Sequence, residues 1–323
     1  MASPLGHCPL CGPAPARRLF AARDLHSFRP GEHSVLTCEQ CSLAYTDAPP
    51  RSEEMGRYYG PAYWITVERD RMIAGGVRKL AERIAAEHGG GRVLDVGCAA
   101  GRKTAFLRDH GLRVVGLDPY QEACELAAEY HGLETVCAYL QTADLPDGSF
   151  EAVTFLDTLE HVEDPVGDLR KAHSLLKAGG AVYIKVPNFG SLQARLLREY
   201  WAVLDVPRHR CHFSPRPLRR ALEVAGFDGV ECWSPPDPWG AYQFEISVLF
   251  WLRARQWSRR GLAPAADEGQ TADEVLQGIV YPDVPRRTKQ AFRWLVRHAL
   301  YAPLSVENLI GRGAALLAIG RKA

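Results

Sequence analysis

The chain has 323 residues, 46% hydrophobic and 24% charged, with 39 Lys and Arg against 38 Asp and Glu for a net charge of +1. That length supports one large or two modest domains around a sizeable core, and the composition excludes a disordered or fibrous chain. The near-zero net charge gives no global reason to expect nucleic acid as a partner. The opening MASPLGHCPLCG lacks a basic start followed by an apolar run, so no signal peptide is expected. No uninterrupted apolar stretch reaches the roughly 18 residues of a membrane span, and a cytoplasmic location follows as the expectation.

In chain order the first element is a cysteine segment. Cys8-Pro-Leu-Cys11 and Cys38-Glu-Gln-Cys41 are two CxxC pairs, and the other five of the nine cysteines are scattered singly. A CxxC turn aims two sulfurs at one point, and two such turns complete a tetrahedron of thiolates. A Pro-rich segment this short cannot build a stable core alone, so structural Zn2+ on Cys8, Cys11, Cys38 and Cys41 would supply its folding energy. The alternatives are unrelated thiols or two disulfides. His7 and His33 could stand in as ligands, although four cysteines already fill the site. Residues 1–60 carry six arginines against six acidic residues, so this zinc ribbon has no excess of base with which to grip nucleic acid. Residues 51–75 follow, with Tyr58, Tyr59, Tyr63 and Trp64 as either an aromatic lid or a linker packed on the next domain.

A helix is predicted over 76–88, with Val77, Leu80, Ala81 and Ile84 on one stripe and Gly89-Gly90-Gly91 ending it. Then come RVLDV as a strand, RKTAFLRDH as a helix, RVVGLD as a strand and QEACELAAEYH as a helix. A strand around 134–138, FEAVTFLD as a strand, DLRKAHSLLK as a helix and AVYIKVP as a strand complete the series. Short apolar strands alternating with helices predict a parallel sheet covered on both faces. Ligands of such sheets sit at the carboxyl ends of the strands. Asp95, Asp118 and Asp157 fall at those ends and form an acidic rim.

The turn VLDVGCAAGRK decides which nucleotide binds. A dinucleotide site needs GxGxxG facing a pyrophosphate. Here Gly97, Ala99, Ala100 and Gly101 give DxGxAxG, and a carboxylate at Asp95, pointing at the ligand, would repel a pyrophosphate. It suits S-adenosylmethionine (SAM), which has no phosphate and carries an ammonium and a sulfonium. Asp118, one helix and one strand later, can accept hydrogen bonds from two ribose hydroxyls.

With VLDVGCAAG, VVGLDP, LPDGSFEAVTFLDTLEHVEDP and LLKAGGAVYIKVPN in this order, residues 75–230 resemble the class I SAM-dependent methyltransferases, and GAALLAIGRK resembles their last strand. The resemblance implies an α/β, Rossmann-like, seven-stranded sheet. It implies that Asp95, Gly97, Ala99 and Gly101 surround the methionine part, and that Asp118 holds the ribose with Pro119 and Tyr120 beside the adenosine. Tyr139 and Leu140 would flank the adenine, although family members often carry an acidic residue at the first position, and Asp157 completes the cofactor rim. With its four-cysteine segment, the chain also resembles the methyltransferases of sugars, secondary metabolites and polysaccharide precursors. The expected organisation is 1–50 zinc ribbon, 51–75 aromatic linker or lid, 76–234 cofactor-binding core, 235–311 helical insertion and 312–323 final strand.

Two clusters could serve the chemistry. Asp157-Thr-Leu-Glu160-His161 follows the fourth strand, with His161 the leading general base or else a packing residue. Glu160 is expected to orient backbone or cofactor. Pro207-Arg-His209-Arg-Cys-His212-Phe-Ser-Pro is expected to close over the pocket, with His209 or His212 touching substrate or acting as base. HxxH alone is a weak metal pattern without a third ligand. Arg208 and Arg210 either meet an acidic acceptor or are solvated, and Ser214-Pro215 reads as a helix start ahead of Leu218, Ala221, Leu222 and Ala225.

The insertion holds AYQFEISVLFWLRARQWSRR, a Pro/Ala/acid linker at 262–274 and a stripe of Phe292, Leu295, Val296, Ala299 and Leu300. Residues 241–323 carry twelve basic and seven acidic residues, and Trp251, Trp257 and Trp294 lie among basic helices. A lid or homodimer contact comes first, and peripheral contact with the inner membrane surface second. The leading function is methyl transfer to an oxygen, or else a carbon, of a small-molecule, sugar or lipid-linked glycan acceptor. An RNA methyltransferase and a non-catalytic SAM-fold binding protein are the alternatives, and an NAD-dependent oxidoreductase is a distant fourth.

Overall fold

The computed structural model describes residues 5–26, 29, 31–59, 71–235, 239–260 and 311–323. The core is a seven-stranded sheet of β5 (Arg92–Val96), β6 (Arg113–Asp118), β7 (Glu134–Cys137), β8 (Phe150–Leu156), β9 (Leu176–Pro187), β11 (Asp228–Trp233) and β12 (Ala315–Arg321). Its order is β11-β12-β9-β8-β5-β6-β7. The strands β5 to β9 run parallel, and β12 pairs antiparallel with both β9 and β11. This is the Rossmann-like sheet expected from the sequence.

Period-two alternation explains why both faces are covered. Leu94 and Val96 of β5 pack in one apolar cluster with Val153, Phe155, Val182 and Ile184. Val93 points to the opposite face, where Val77, Leu80, Ala81 and Ile84 pack against it. Those four lie on one helix that runs Arg71–His88, longer at its start than the predicted 76–88. The chain lays down β5, β6 and β7 outward, then returns to place β8 on the other side of β5. That reversal opens a crevice between the carboxyl ends of β5 and β8, where such sheets hold ligands.

The cysteine segment is a second sheet of β1 (Leu5–Cys8), β2 (Gly12–Ala22), β3 (His33–Cys38) and β4 (Ala44–Thr46). Each CxxC pair lies at a turn, the first leading from β1 into β2 and the second leading from β3 towards β4. A fifth strand, β10 (Cys211–His212), comes from the far end of the chain and pairs with β4 in the register Tyr45 to Cys211 and Ala44 to His212. The ribbon is therefore continuous with the core. Cys8, Leu43 and Tyr45 share one buried cluster with Leu159, Cys211 and Phe213.

Of the insertion, the helix Trp239–Arg260 is described. Phe250 is buried against Ala202, and the Ala202 N–H donates to Ser247 Oγ at 2.8 Å. The linker at 262–274, the stripe 292–300 and Trp294 lie outside the described residues, as do Tyr63, Trp64 and the side chain of Trp257. Among the described residues no helix is long and apolar enough to cross a membrane.

Candidate active site at the carboxyl ends of the strands

The glycine turn after β5 closes on itself. The Gly97 and Cys98 N–H groups both donate to Leu117 O, and Gly101 N–H donates to Cys98 O. Gly97 has φ +75°, and a Cβ there would lie 2.4 Å from Thr158 Cγ2, so glycine is required both for conformation and for space. Ala99 also sits in the left-handed region, at φ +50°. Its N–H donates to Asp118 Oδ2 at 3.0 Å, and the Tyr120 N–H donates to Asp118 Oδ1 at 3.0 Å. Asp118 ends β6 and is buried. Burial pushes its carboxyl up to about 6, against the two backbone donors that favour the ion.

Asp95 differs from the expectation. It is the penultimate residue of β5, and its two oxygens accept hydrogen bonds from Thr104 Oγ1 at 2.5 Å and Thr154 Oγ1 at 2.6 Å. At 1% exposure it presents almost no surface to a ligand. It fastens the turn to the helix Arg102–Asp109 and to β8 rather than pointing at a cofactor.

Asp157, just past β8, has φ +60° and lies between two ammonium groups. Lys103 Nζ is 3.0 Å from Oδ2 and Lys185 Nζ is 2.6 Å from Oδ1. Burial alone would raise its pKa, but the two lysines outweigh it and hold the carboxyl below the usual range. Both lysines escaped the sequence reading. The usable signal was Lys185, a single charge within the apolar run AVYIKVP, which a buried strand tolerates only with a partner.

Beside Asp157 the structure brings Glu160, His161 and His209 together, with one ligand-type atom of each within 4.8 Å of the others. The two imidazole rings are 4.5 Å apart at 83°. His209 Nδ1 lies 2.9 Å from Val203 O, and His161 Nδ1 lies 3.2 Å from Arg208 O and 2.9 Å from the Tyr59 hydroxyl. Burial keeps both rings neutral, lowering His161 to about 4 and His209 to about 3. Burial, with Asp157 adding to it, pushes Glu160 up to about 8. Tyr59 also packs on Tyr120 at 5.2 Å, so the first part of the aromatic segment bridges the Asp118 end of β6 and the histidines.

His212 does not join the cluster. Thr46 Oγ1 donates to His209 O at 2.8 Å, so it accepts from His212 Nε2–H at 3.1 Å, and the ring is 4% exposed. His212 buttresses the ribbon rather than facing an acceptor. Arg208 is 1% exposed and forks onto Asp205, with Nη2 also 3.2 Å from Asp24. Arg210 is buried and donates to Pro50 O at 2.6 Å. Neither arginine is presented to an acidic acceptor, since each is used within the fold. Ser214 does stand at a helix start, ahead of Pro215–Val224, but its side chain makes no capping bond. Leu140 is buried in the core, Tyr139 is exposed, and Pro119 and Tyr120 are half-buried beside Asp118.

In the ribbon, the sulfurs of Cys8, Cys11, Cys38 and Cys41 lie within 4.8 Å of one another, with Cys8 and Cys41 at 3.6 Å. Four thiolates around zinc at about 2.3 Å stand roughly 3.8 Å apart. The donor set and spacing fit that metal.

A family profile described as a methyltransferase domain matches residues 67–232. The ubiquinone biosynthesis O-methyltransferase of Idiomarina loihiensis is 28% identical over 155 residues, 44% of this chain and 63% of that protein. Its namesake in Pseudomonas aeruginosa is 37% identical over 106 residues, 31% of this chain and 45% of that protein. The chain thus spans only part of the length of these relatives. A solved SAM-dependent methyltransferase of Thermotoga maritima, described as a possible histamine N-methyltransferase, superposes with a TM-score of 0.50 at 17% identity, covering 80% of this chain and 95% of that one. At that identity the likeness speaks for the fold alone. With the profile covering just over half of the residues and the strand order and acidic strand ends already seen, the chain belongs to the class I SAM-dependent methyltransferases.

Proposed function

We propose that this protein transfers the methyl group of SAM to a hydroxyl oxygen of a small-molecule acceptor, at the crevice between β5 and β8. The supporting observation is the convergence there of Asp118 with the Glu160, His161 and His209 cluster, one on each side of Tyr59. An oxygen acceptor is also what the names of the O-methyltransferase relatives carry.

The residues fit the cofactor. Asp118 keeps lone pairs beyond its two backbone donors for the ribose hydroxyls, with Pro119 and Tyr120 beside the base. The turn Gly97, Ala99 and Gly101 shapes the wall for the methionine part, with Asp95 behind it. Asp157 anchors Lys103 and Lys185 at the rim. Bound SAM would supply an electrophilic methyl on a sulfonium, and its transfer requires the acceptor hydroxyl to give up one proton. Activation of that hydroxyl falls to Glu160, His161 and His209, where neutral imidazoles present lone pairs at neutral pH. Zn2+ on the four cysteines is structural in this reading, holding the ribbon against β10.

Incubation with methyl-labelled SAM and cell extract, followed by separation into organic, aqueous and nucleic-acid fractions, tests the assignment. Label is expected on an oxygen of a small molecule, in the organic fraction for a lipid-linked acceptor and the aqueous fraction for a sugar or soluble metabolite. Label confined to nucleic acid, or no transfer to any fraction, overturns it.

A further inference from the structure

We propose that Glu160, His161 and His209 form a binding site for one divalent transition-metal ion, separate from the cysteine ribbon. The sequence shows only a His209/His212 pair with no third ligand. The fold separates that pair and supplies two other ligands from the segment after β8.

What the cluster can bind depends on which ring nitrogen carries hydrogen. A backbone carbonyl can only accept, so His209 Nδ1, 2.9 Å from Val203 O, carries the hydrogen. Its Nε2 is left as a lone pair, 4.0 Å from Glu160 Oε1 and 3.8 Å from Asp205 Oδ2. His161 Nδ1 faces both Arg208 O at 3.2 Å and the Tyr59 hydroxyl at 2.9 Å; the carbonyl can only accept, so Nδ1 carries the hydrogen, the hydroxyl accepts from it, and Nε2 is left bare. Carbonyls that fix the tautomer and aim the opposite nitrogen are the usual outer partners of metal-binding histidines. Glu160 is 1% exposed, and both its carboxylate oxygens lack a hydrogen-bond partner. A buried acceptor left without a donor is costly. One ring nitrogen of each imidazole and an oxygen of the unpartnered carboxylate lie within 4.8 Å of one another, and what that cluster lacks is a cation.

The geometry is close to what an ion requires. Ligands around an ion with bonds of about 2.0–2.2 Å stand roughly 3–3.4 Å apart. The 4.0 Å gap between His209 and Glu160 therefore closes by about 1 Å or less, within side-chain rotation. Two imidazoles and one carboxylate suit manganese, iron, cobalt or zinc, and three protein ligands leave coordination positions open. His161, half-buried, is the member that reaches the crevice. The catalytic meaning rests on the O-methylation reading: a cation beside the acceptor lowers the pKa of its hydroxyl, so that the proton passes to water.

Mn2+ tests this on the full chain with the ribbon kept zinc-loaded, because thiolates prefer the softer metal. Loss of the free-ion signal in electron paramagnetic resonance should report one saturable Mn2+ per chain. Glu160→Gln and His209→Gln should each weaken it by more than about tenfold, whereas His131→Ala should not change it. An anomalous diffraction peak between the three side chains in Mn2+-soaked crystals of the unaltered protein keeps the test independent of how any variant folds. No saturable binding, binding that survives both substitutions, or no such peak overturns the site. Mn2+ bound without methyl transfer to any hydroxyl would overturn the functional reading and leave the site standing, and methyl transfer without bound Mn2+ would do the reverse.

Discussion

Asp118 is under two opposing pressures, and their balance makes cofactor binding pH-dependent. Burial raises its pKa to about 6, while the Ala99 and Tyr120 N–H groups favour the carboxylate. Ribose hydroxyls would add two more donors to the charged form, so bound SAM should lower the pKa further. SAM affinity should then be flat above about pH 7 and fall towards tenfold per unit below about 6. Asp118→Ala should weaken binding by about 2–4 kcal/mol, roughly thirtyfold to several hundredfold in Kd, with the fold intact. Calorimetric titration of SAM from pH 5 to 8 checks both, and a flat profile in the native protein removes the ribose assignment. Gly97→Ala should abolish binding, since it forces an alanine to φ +75° and a methyl into Thr158. The places of Asp118 and Gly97 in the fold were legible in sequence because those features are local: an acid ending a strand and a glycine at a turn. Asp95 had the same local signature, yet its role depends on Thr104 and Thr154, which are distant in sequence or on another element.

The strands and helices of the core followed from period and turn chemistry, and the departures have physical causes. The helix predicted from Asp168 begins at Pro165, because Asp164 accepts the Gly167 N–H at 2.8 Å and proline fits the first turn. Strand β9 begins at Leu176 rather than at Ala181, its early residues exposed and so without apolar alternation. Strand β10 spans two residues and exists because β4 is there to pair with it, which no local pattern encodes. The segment leading into β10 is held by Arg208, forked onto Asp205 and reaching Asp24 across the ribbon boundary. Arg208→Ala would leave two carboxylates in a buried place, at a cost of about 3–5 kcal/mol. Asp205 is itself half-buried, which would raise its pKa, but the Arg208 charge holds it well below the usual carboxylate range. Its contribution is therefore present above that range and lost as pH falls through it. Denaturant midpoints of Arg208→Ala and the native protein should differ by that amount at pH 7 and converge in acid. Equal midpoints at pH 7 would show the fork to be dispensable.

At the scale of the whole molecule the site is assembled from three distant stretches, and the ribbon holds the third in place. Glu160 and His161 come from the turn after β8, Tyr59 comes from the segment after the ribbon, and His209 comes from the loop before β10. Sequence reading found each stretch but not their meeting, because the contacts span 47 to 102 positions. The ribbon looked like a separate unit because its cysteines are local. Pairing of β4 with β10, the Thr46 bonds to His209 O and His212, and the shared apolar cluster make it a wall of the site. Loss of zinc should therefore do more than unfold residues 5–46. Without the metal the sulfurs lose the ion that draws them together, β4 loses its fixed register, and the Thr46 contact to the His209 backbone goes with it. The seven-stranded sheet keeps its own core, so Asp118 and the glycine turn survive. Cys38→Ser should accordingly cut methyl transfer by more than tenfold, about 1.4 kcal/mol in activation free energy, while SAM affinity changes little. Hydrogen exchange should accelerate in residues 5–46 and 205–214 and stay slow in β5, β8 and β9. Exchange that rises in the ribbon alone, with turnover intact, would make it an independent module and detach it from the chemistry.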